Sequence, residues 1–457
     1  MRLLDNAALF NGSQKQNYEV IFIFDEDYWR TSGRSPRQLQ FAIDCLDELD
    51  TQLQKFKCNI RVFCGNFSEF CDWSNKFESI QFHVNHSTET EYFRNHFCYF
   101  EKNTKHHISI YQDFGIQLDT FDRDNWSSSW KKIMESKTYE APLPNKDNFS
   151  ILNTLPNVKD WTKSQKNRSD YIQPGGTAGA KKLLHSFFDH RANGYRRKMS
   201  NPQEAAYACS RLSPHFSFGS ISIRQVYQAT LKQMEHNLFV RDLASFKKRL
   251  FWHCHFIQKL ETEPELEFQS MHYLCDSLRE KENDELIEKW ILGKTGFPFL
   301  DACMLYLRKH GWINFRMRAM IMSFASYNLW QPWQKTSPLL AELFTDFEPG
   351  IHICQVQMQS GVTGINLPRI YSVIKQSIDQ DPELTWTKSI ISNLGSDKKA
   401  IHTASSKSYI KPIIDVKESA RNARELVWGI RKSNKFKEIA KAVYLKHGSR
   451  RRAKTHN

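Results

Sequence analysis

The feature that most constrains the fold is a change of hydrophobic period near Tyr171. Beyond this residue, apolar side chains recur every three or four positions in most of the chain, most clearly in the segments 178–192, 222–235, 242–261 and 298–307. Such spacing places apolar side chains on one face of an α-helix. No internal repeat of roughly 20 to 50 residues accompanies it, which disfavours a solenoid. Residues 171–457 are therefore predicted to fold as one all-α domain.

The first 121 residues show a different pattern, in which short β-branched and aromatic runs alternate with helical stretches. The predicted strands are 19–24, 59–64, 79–84 and 107–111, and the predicted helices are 36–55 and 88–101. This alternation is typical of a parallel sheet covered by helices. Residues 1–121 are therefore predicted to form an α/β domain.

Residues 122–170 are polar, contain tryptophan and are interrupted by Pro142, Pro144 and Pro156. They show no sustained helical or strand period, so we predict an interdomain connection. A chain of 457 residues is long enough for two domains with substantial cores.

The net charge of +14 favours an anionic partner, most commonly nucleic acid, although a solvated basic face would give the same total. From Asp397 onward there are 17 Lys and Arg against 5 Asp and Glu, with a run of arginines in 449–454. This end is predicted to be either a phosphate-binding arm or a disordered tail.

The ten cysteines contain no CxxC pair, and no secretory or membrane-length apolar segment is present. We therefore expect a cytoplasmic protein in a reducing compartment, without a membrane partner. His253, Cys254 and His255 resemble a metal cluster, but side chains two apart on a helix diverge, so no metal is expected. The oligomeric state is left open by the sequence, and a monomer is expected.

Four segments resemble, in order, motifs of the photolyase and cryptochrome superfamily. Residues 209–222 are similar to the pattern TSRLSP…GxIS, and residues 293–301 are similar to GxTGxPxxD. The residues that carry the other two motifs are Gly311, Trp312, Arg316 and Arg318, followed by Trp333 and the acidic pair Asp346 and Glu348. The resemblance covers roughly residues 171 to 383 and implies a Rossmann-like α/β domain followed by an all-α FAD-binding domain.

The resemblance also implies the residues that contact FAD. They are Tyr195, Ser210, Arg211, Leu212, Ser213, Phe246, His253, Arg318, Asp346, Glu348 and His352. Ser210 and Ser213 stand before or at a helix start, where they can cap free N–H groups or face a diphosphate. Arg318 and Asp346 resemble the ion pair beside the flavin ring.

The substrate residues implied by the resemblance are Arg249, Trp252, Phe315 and Met358. Trp252 resembles the aromatic side chain that stacks on a flipped pyrimidine dimer, because every base presents a flat face. Phe256, at helical spacing from it, is predicted to be a core residue. Trp333 and His352 are the predicted catalytic residues.

Several positions depart from the family pattern. His352 stands where the family usually has Asn or Asp, and histidine titrates near neutrality, so it could hydrogen-bond or protonate the flavin. The chain of three tryptophans that carries an electron to the flavin retains only Trp333, with Glu280 and Val356 at the other two positions. Photoreduction is therefore expected to be slow or to use another path. The available relays are Trp330, Tyr371 and Trp386.

The substrate contacts also depart from the family. Of the positions that usually contact a pyrimidine dimer, only Trp252 matches, and Ala319 is among the changed ones. The histidine pair of the (6-4) photolyases does not occur near Asn314 and Ala319. No cysteine follows Cys354, so no iron–sulfur cluster is expected.

Residues 1–9 resemble the middle of the family motif RDLRLxDNxAL, which normally follows the first strand of the antenna domain. The α/β domain is therefore predicted to lack its first strand, through a misplaced start codon or through truncation. Its sheet would then have a central gap or an altered strand order, and an antenna pigment becomes doubtful.

Three functions are compatible with the sequence. The first is light-driven splitting of cyclobutane pyrimidine dimers in damaged DNA by electron transfer from reduced FAD. The second is a cryptochrome-like light sensor that binds FAD without repair. The third is a flavin-free DNA-binding remnant, which would leave the Arg318 and Asp346 pair without a purpose.

Overall fold

The computed structural model describes residues 1–14, 17–30, 33–118, 122–146, 152–164, 171–236 and 238–450. The strands are β1 Val20–Phe24, β2 Ile60–Cys64, β3 Gln81–Asn85 and β4 His107–Tyr111. The helices that precede residue 171 are α1 Ala7–Gly12, α2 Glu26–Arg30, α3 Pro36–Leu53, α4 Phe67–Ser74, α5 Glu91–Asn103, α6 Trp126–Glu135 and α7 Val158–Ser164.

The remainder of the chain is helical. The helices that follow residue 171 are α8 Thr177–Ser186, α9 Tyr195–Lys198, α10 Pro202–Ala208, α11 Ser213–Ser217, α12 Ile223–Glu235, α13 Val240–Thr262, α14 Asp284–Ile291, α15 Pro298–His310, α16 Phe315–Ser323, α17 Trp333–Leu343, α18 Pro349–Ser360, α19 Val373–Gln380, α20 Thr385–Ile390, α21 Lys398–His402, α22 Val416–Arg431 and α23 Asn434–His447. Short 3₁₀ segments span Gln54–Phe56, Pro264–Glu267 and Tyr273–Leu278, and π-helical turns span Phe187–Arg191 and Phe324–Asn328.

The four predicted strands form, but not as one sheet. β1 pairs in parallel with β2, with Val20 opposite Ile60, and β3 pairs in parallel with β4, with Gln81 opposite His107. Among the described residues, no hydrogen-bonded ladder joins these two pairs. The described strands therefore form two separate two-stranded parallel sheets. The predicted loss of a first strand stays a prediction.

Helix α3 covers the first pair of strands. It begins with Pro36, whose fixed φ angle suits the first helical position. Its buried face carries Leu46, Leu49 and Leu53, which pack in one cluster with Ile60 of β2. The spacing of the three leucines shows why the helical pattern is readable in the sequence.

The predicted connection at 122–170 contains two helices in its described part. Trp126, Trp130 and Met134 of α6 lie four residues apart and are buried in a core cluster with helices α8, α12 and α13. Helix α7 instead returns to β2, where Val158 and Trp161 join the core of the first pair of strands. The prolines of this segment made the helical spacing of its apolar residues difficult to recognise in the sequence. Residues 147–151 and 165–170 lie outside the described residues.

The second half has the helical architecture that its periodicity predicts. Helices α15, α16, α17 and α18 build its largest apolar core, to which Trp290 and Phe324 contribute fully buried rings. None of the described helices combines the length and the apolar character needed to cross a membrane. The described part of the chain ends at Arg450, so the arginines and lysine of 451–454 lie outside it.

The motif at 293–301 has a structural role in this fold. Asp301 is fully buried in the first turn of α15 and accepts hydrogen bonds from the backbone N–H groups of Thr295 and Gly296, at 2.9 and 3.0 Å. The hydroxyls of Thr295 and Tyr409 also donate to it, at 2.6 and 3.0 Å. One carboxyl group thus joins the turn before α15 to the segment before α22.

Polar contacts hold the two halves of the molecule together. Asp5, which is 2% exposed, forms an ion pair with Arg224 of α12. The guanidinium of Arg2 binds Asp113 at 2.9 Å and donates to the carbonyl of Gly219 at 3.3 Å. Because these charges are buried and paired, they fix the α/β half against the helical half.

Candidate flavin-binding site

A cavity of about 330 Å³ opens in the helical half, within the size range of small-molecule sites. Helices α13, α16 and α18 supply half of its lining residues. Its lining consists of Tyr195, Met199, Cys209, Ser213, Ser217, Arg249, Trp252, His253, Phe256, Trp312, Ile313, Asn314, Phe315, Arg318, Ala319, Met322, Leu340, Phe344, Asp346, Phe347, Glu348, Ile351, His352, Gln355, Val356 and Gln359. The wall is mostly apolar, so its few polar groups decide which ligand fits.

The predicted pair of Arg318 and Asp346 is formed. The two terminal nitrogens of Arg318 donate to the two carboxylate oxygens of Asp346, at 3.1 and 2.9 Å. Its Nε donates to the carbonyl of Ile313 at 2.6 Å, and its guanidinium carbon lies 4.2 Å from the centre of the Phe344 ring. The Asp346 side chain is only 3% exposed, so the guanidinium is what compensates its burial.

His352 is a neutral residue in this structure. Burial lowers the pKa of His352 to about 4, although the carbonyl of Ser337 opposes this shift. Its Nε2 lies 3.0 Å from that carbonyl, so Nε2 carries the hydrogen and Nδ1 is left as an acceptor. This pKa does not agree with titration near neutrality, because an apolar environment disfavours the charged imidazole. The hydrogen bond or proton transfer from His352 to the flavin stays a prediction.

Glu348 lines the same cavity, and its carboxyl group is buried. Burial raises the pKa of Glu348 well above its ordinary value, and the nearby Glu89 raises it further, whereas Arg34 opposes both. Arg34 is itself paired with Glu89 at 2.5 Å. The protein environment therefore favours the neutral form of this carboxyl group over the charged form.

Ten of the predicted site residues line this cavity. They are Tyr195, Ser213, Arg249, Trp252, His253, Phe315, Arg318, Asp346, Glu348 and His352. Trp252 and His253 lie on α13, Arg318 lies on α16, and Asp346 precedes α18, so the chain brings together residues about a hundred positions apart. The side chains of His253 and His255 diverge, as predicted, since His255 contacts Arg123 instead of the cavity.

Six predicted residues lie outside the cavity lining. They are Ser210, Arg211, Leu212, Phe246, Trp333 and Met358. Phe246 packs on Phe187, with ring centres 4.8 Å apart, and Leu212 is fully buried in the same cluster. Trp333 is 3% exposed and donates its indole N–H to Ser270 at 2.9 Å. Leu212, Phe246 and Trp333 are therefore core residues of the helical half.

The predicted serine caps are not formed at α11. This helix begins at Ser213, and its N-cap position is Leu212, which makes no side-chain cap. The hydroxyl of Ser210 accepts only a long bond of 3.4 Å from the N–H of Leu212. Arg211, in a left-handed conformation, places its guanidinium 4.0 Å from the ring centre of Trp312, which does line the cavity. The first N–H groups of α11 are therefore not capped by either serine.

The sequence did not reveal several lining residues. Phe256 is predicted as a core residue but lines the cavity, one turn from Trp252 and His253 on the same helix face. Asn314 and Gln355 carry no motif signal. Their side-chain oxygens, with Nδ1 of His253, are buried without a hydrogen-bond partner in the described part of the chain. Buried polar atoms are normally satisfied, so these three point to a polar ligand.

Comparison with known families identifies that ligand. Residues 246–429 match the family described as FAD binding domain of DNA photolyase, and residues 1–94 match the family described as DNA photolyase. The first match begins within α13 and ends within α22, and it includes most of the residues that line the cavity.

Individual relatives agree with this assignment. A deoxyribodipyrimidine photo-lyase of Agrobacterium fabrum is 29% identical over 271 residues, covering 58% of this chain and 55% of that protein. Cryptochrome-1 of Spalax judaei is 23% identical over 389 residues, covering 77% of this chain and 65% of that protein. The crystal structure of the archaeal photolyase from Sulfolobus tokodaii with two FAD molecules has a TM-score of 0.79 at 23% identity, covering 94% of this chain and 97% of that one. That last likeness establishes the shared fold.

The cavity residues fit FAD. The cofactor is large and mostly aromatic, with amide, hydroxyl and diphosphate groups, and it needs an apolar wall with scattered donors and acceptors. Phe344 and Trp312 supply flat apolar surface, whereas the unpartnered atoms of Asn314 and Gln355 supply polar partners. The helical half is an FAD-binding domain, and the chain belongs to the photolyase and cryptochrome superfamily.

Proposed function

We propose that this protein repairs DNA in blue light by splitting cyclobutane pyrimidine dimers. The observation that carries the proposal is that Trp252 and Arg249, on consecutive turns of α13, line the same cavity as the Arg318 and Asp346 pair. A base-stacking aromatic side chain and a cation thus share one cavity with the flavin-binding residues. The net charge of +14 supports binding to a polyanion.

The chain's own residues would hold and shield the substrate. When bound, reduced FAD excited by blue light supplies an electron that opens the dimer and returns to the cofactor. Trp252 would stack on the flipped base, and Arg249 would place positive charge near the substrate as it gains that electron. The apolar wall that includes Phe256 and Phe315 would exclude water, which strengthens these electrostatic interactions.

The proposal is tested by illuminating the purified, chemically reduced protein with dimer-containing DNA and counting the remaining dimers. We expect a yellow protein as isolated and a light-dependent loss of dimers. The absence of flavin would exclude both repair and light sensing. Bound flavin without any loss of dimers, in the fully reduced protein, would contradict the repair proposal and leave the light sensor.

Trp252→Ala should weaken binding of a dimer-containing oligonucleotide by about ten- to a hundredfold, since stacking contributes about 1–3 kcal/mol per base. The flavin content should stay at the wild-type level, because Arg318 and Asp346 are untouched. The measurement is a fluorescence titration in the dark. Trp428→Ala, which removes a 41% exposed tryptophan on α22, is the matched control and should bind normally.

A cryptochrome-like light sensor is the second candidate. Trp333 lies behind the cavity wall and Val356 occupies the lining, so the usual aromatic path to the flavin is interrupted. Ala319 also lines the cavity where a dimer contact is usual. These changes favour a photochemistry that differs from that of the repair enzymes, and the dimer assay distinguishes the two functions.

A further inference from the structure

A second group of basic side chains is buried beside the cavity without contributing to its lining. Arg123 precedes α6, His255 and Lys259 lie one turn apart on α13, and His447 ends α23. Their exposed fractions are 8%, 1%, 7% and 2%, respectively. Burial of an unpaired charge costs several kcal/mol, so such a group requires a compensating partner.

Two of these four side chains, Arg123 and Lys259, have no compensating partner among the described residues. His447 is paired with Glu263, which Lys446 also contacts at 3.0 Å. Neither Arg123 nor Lys259 forms an ion pair within the described part of the chain. The Nη1 of Arg123 is buried without a hydrogen-bond partner there.

The remaining contacts of Arg123 and Lys259 do not neutralise them. The Nε of Arg123 donates to the carbonyl of Gly448 at 2.8 Å, and its Nη2 donates to Nδ1 of His255. The ammonium of Lys259 lies 5.3 Å from the ring centre of Phe256. Burial is the main cause that lowers the pKa of Lys259 to about 8. The interaction with Cys354 opposes this shift, whereas the charge of Arg123 adds to it. The charges of Arg123 and Lys259 thus repel each other, and neither side chain forms a salt bridge in the described part of the chain.

This basic group adjoins the cavity through the ring of His255. The ring of His255 lies 4.9 Å from that of Trp252 and 5.4 Å from that of Phe256, measured between centres. Both aromatic residues line the cavity. Arg450, which follows α23, pairs with Asp124 next to Arg123, so the basic C-terminal segment also reaches this place.

We propose that Arg123, His255 and Lys259 bind a phosphate group, and that its source is a backbone phosphate of the DNA strand whose base enters the cavity. His255 accepts from Arg123 at Nδ1, so its Nε2 carries a hydrogen and can donate. The site then offers a guanidinium N–H, an imidazole N–H and an ammonium, which are the usual donors to phosphate. The assignment to DNA rests on the function proposed above, whereas phosphate binding itself does not.

The first test uses inorganic phosphate and the full-length protein, without DNA. Wild-type protein should bind phosphate in a calorimetric titration, and Lys259→Met should bind it at least about tenfold more weakly, which corresponds to one charge-assisted hydrogen bond. Lys163→Met, at a 70% exposed lysine on α7, is the control and should bind as the wild type does. Equal phosphate affinity in wild type and Lys259→Met would overturn the site.

The second test identifies the source of the phosphate. With a dimer-containing single strand, the slope of log Kd against log salt should fall by about 0.7 in Lys259→Met, because one phosphate contact is lost. The phosphates of the strand are then replaced one at a time by uncharged methylphosphonates. One such replacement should weaken DNA binding by the wild-type protein and leave DNA binding by Lys259→Met unchanged. An unchanged slope and no such position would overturn the assignment to DNA, even where inorganic phosphate binds.

Thermal unfolding separates this role from a structural one. Methionine has a similar length and no charge, so Lys259→Met should unfold at the same temperature as the wild type or above it. A clearly lower unfolding temperature would show that Lys259 stabilises the fold and would contradict the proposal. Wild-type protein that binds phosphate but no DNA would refute the repair function and leave the phosphate site intact.

Discussion

Arg318→Ala should purify without flavin and should unfold more readily than the wild-type protein. The substitution leaves the Asp346 carboxylate, which is 3% exposed, without its bidentate partner. Removing one partner of a buried ion pair typically costs about 3–5 kcal/mol, which is a large part of the stability of a domain. Flavin absorbance after purification and urea unfolding measure the two effects.

A double variant separates cofactor binding from stability. Arg318→Met combined with Asp346→Leu removes both charges, so no unpaired carboxylate is buried, and much of the lost stability should return. The double variant should nevertheless remain without flavin. Arg421→Ala, at an exposed position of α22, is the control and should retain both flavin and stability. Normal flavin content in Arg318→Ala would contradict the placement of the cofactor.

Asp301→Ala should destabilise the helical domain by about 3–5 kcal/mol, since four donors to the carboxyl group lose a buried acceptor. Tyr409→Phe removes only one of these hydrogen bonds and should cost about 1 kcal/mol. Urea unfolding of the two variants checks the ratio. A loss of similar size in both would mean that the hydroxyl of Tyr409, rather than the carboxyl group, dominates this contact.

The contribution of Asp301 should depend on pH. Burial raises the pKa of Asp301 from 3.8 to about 6, against the hydrogen bonds from Thr295 and Tyr409. Between pH 3.8 and about 6, the folded protein therefore keeps a proton on Asp301 that the unfolded chain has already released. Rising pH within this interval favours the unfolded state. The stability advantage of wild type over Asp301→Ala should shrink as the pH rises from about 4 to about 6. An advantage that grows over this interval would show that the carboxylate form is preferred.

The fold could be predicted where a single period dominates. The strand at Val20–Phe24 and the helices Pro36–Leu53 and Ile223–Glu235 lie within one or two residues of their predicted places, because each buries one regular face. Helix α6 was missed because its two tryptophans lie in a polar segment with prolines downstream. The pairing of strands was not readable either, since it depends on contacts between distant parts of the chain.

The functional site, like the fold, could be predicted only in part from the sequence. The motifs, and with them the family and Arg318 and Asp346, are properties of the sequence, because each motif is a run of neighbouring residues. The cavity lining includes Phe256, Asn314 and Gln355 only because α13, α16 and α18 come together in the folded protein. The pKa shifts of His352 and Glu348 likewise depend on burial, which no spacing reveals. The sequence by itself determined the two kinds of domain and the flavin motifs. Only the tertiary structure decided which side chains meet in the cavity and which of them carry charge, because burial and distance arise when the helices pack.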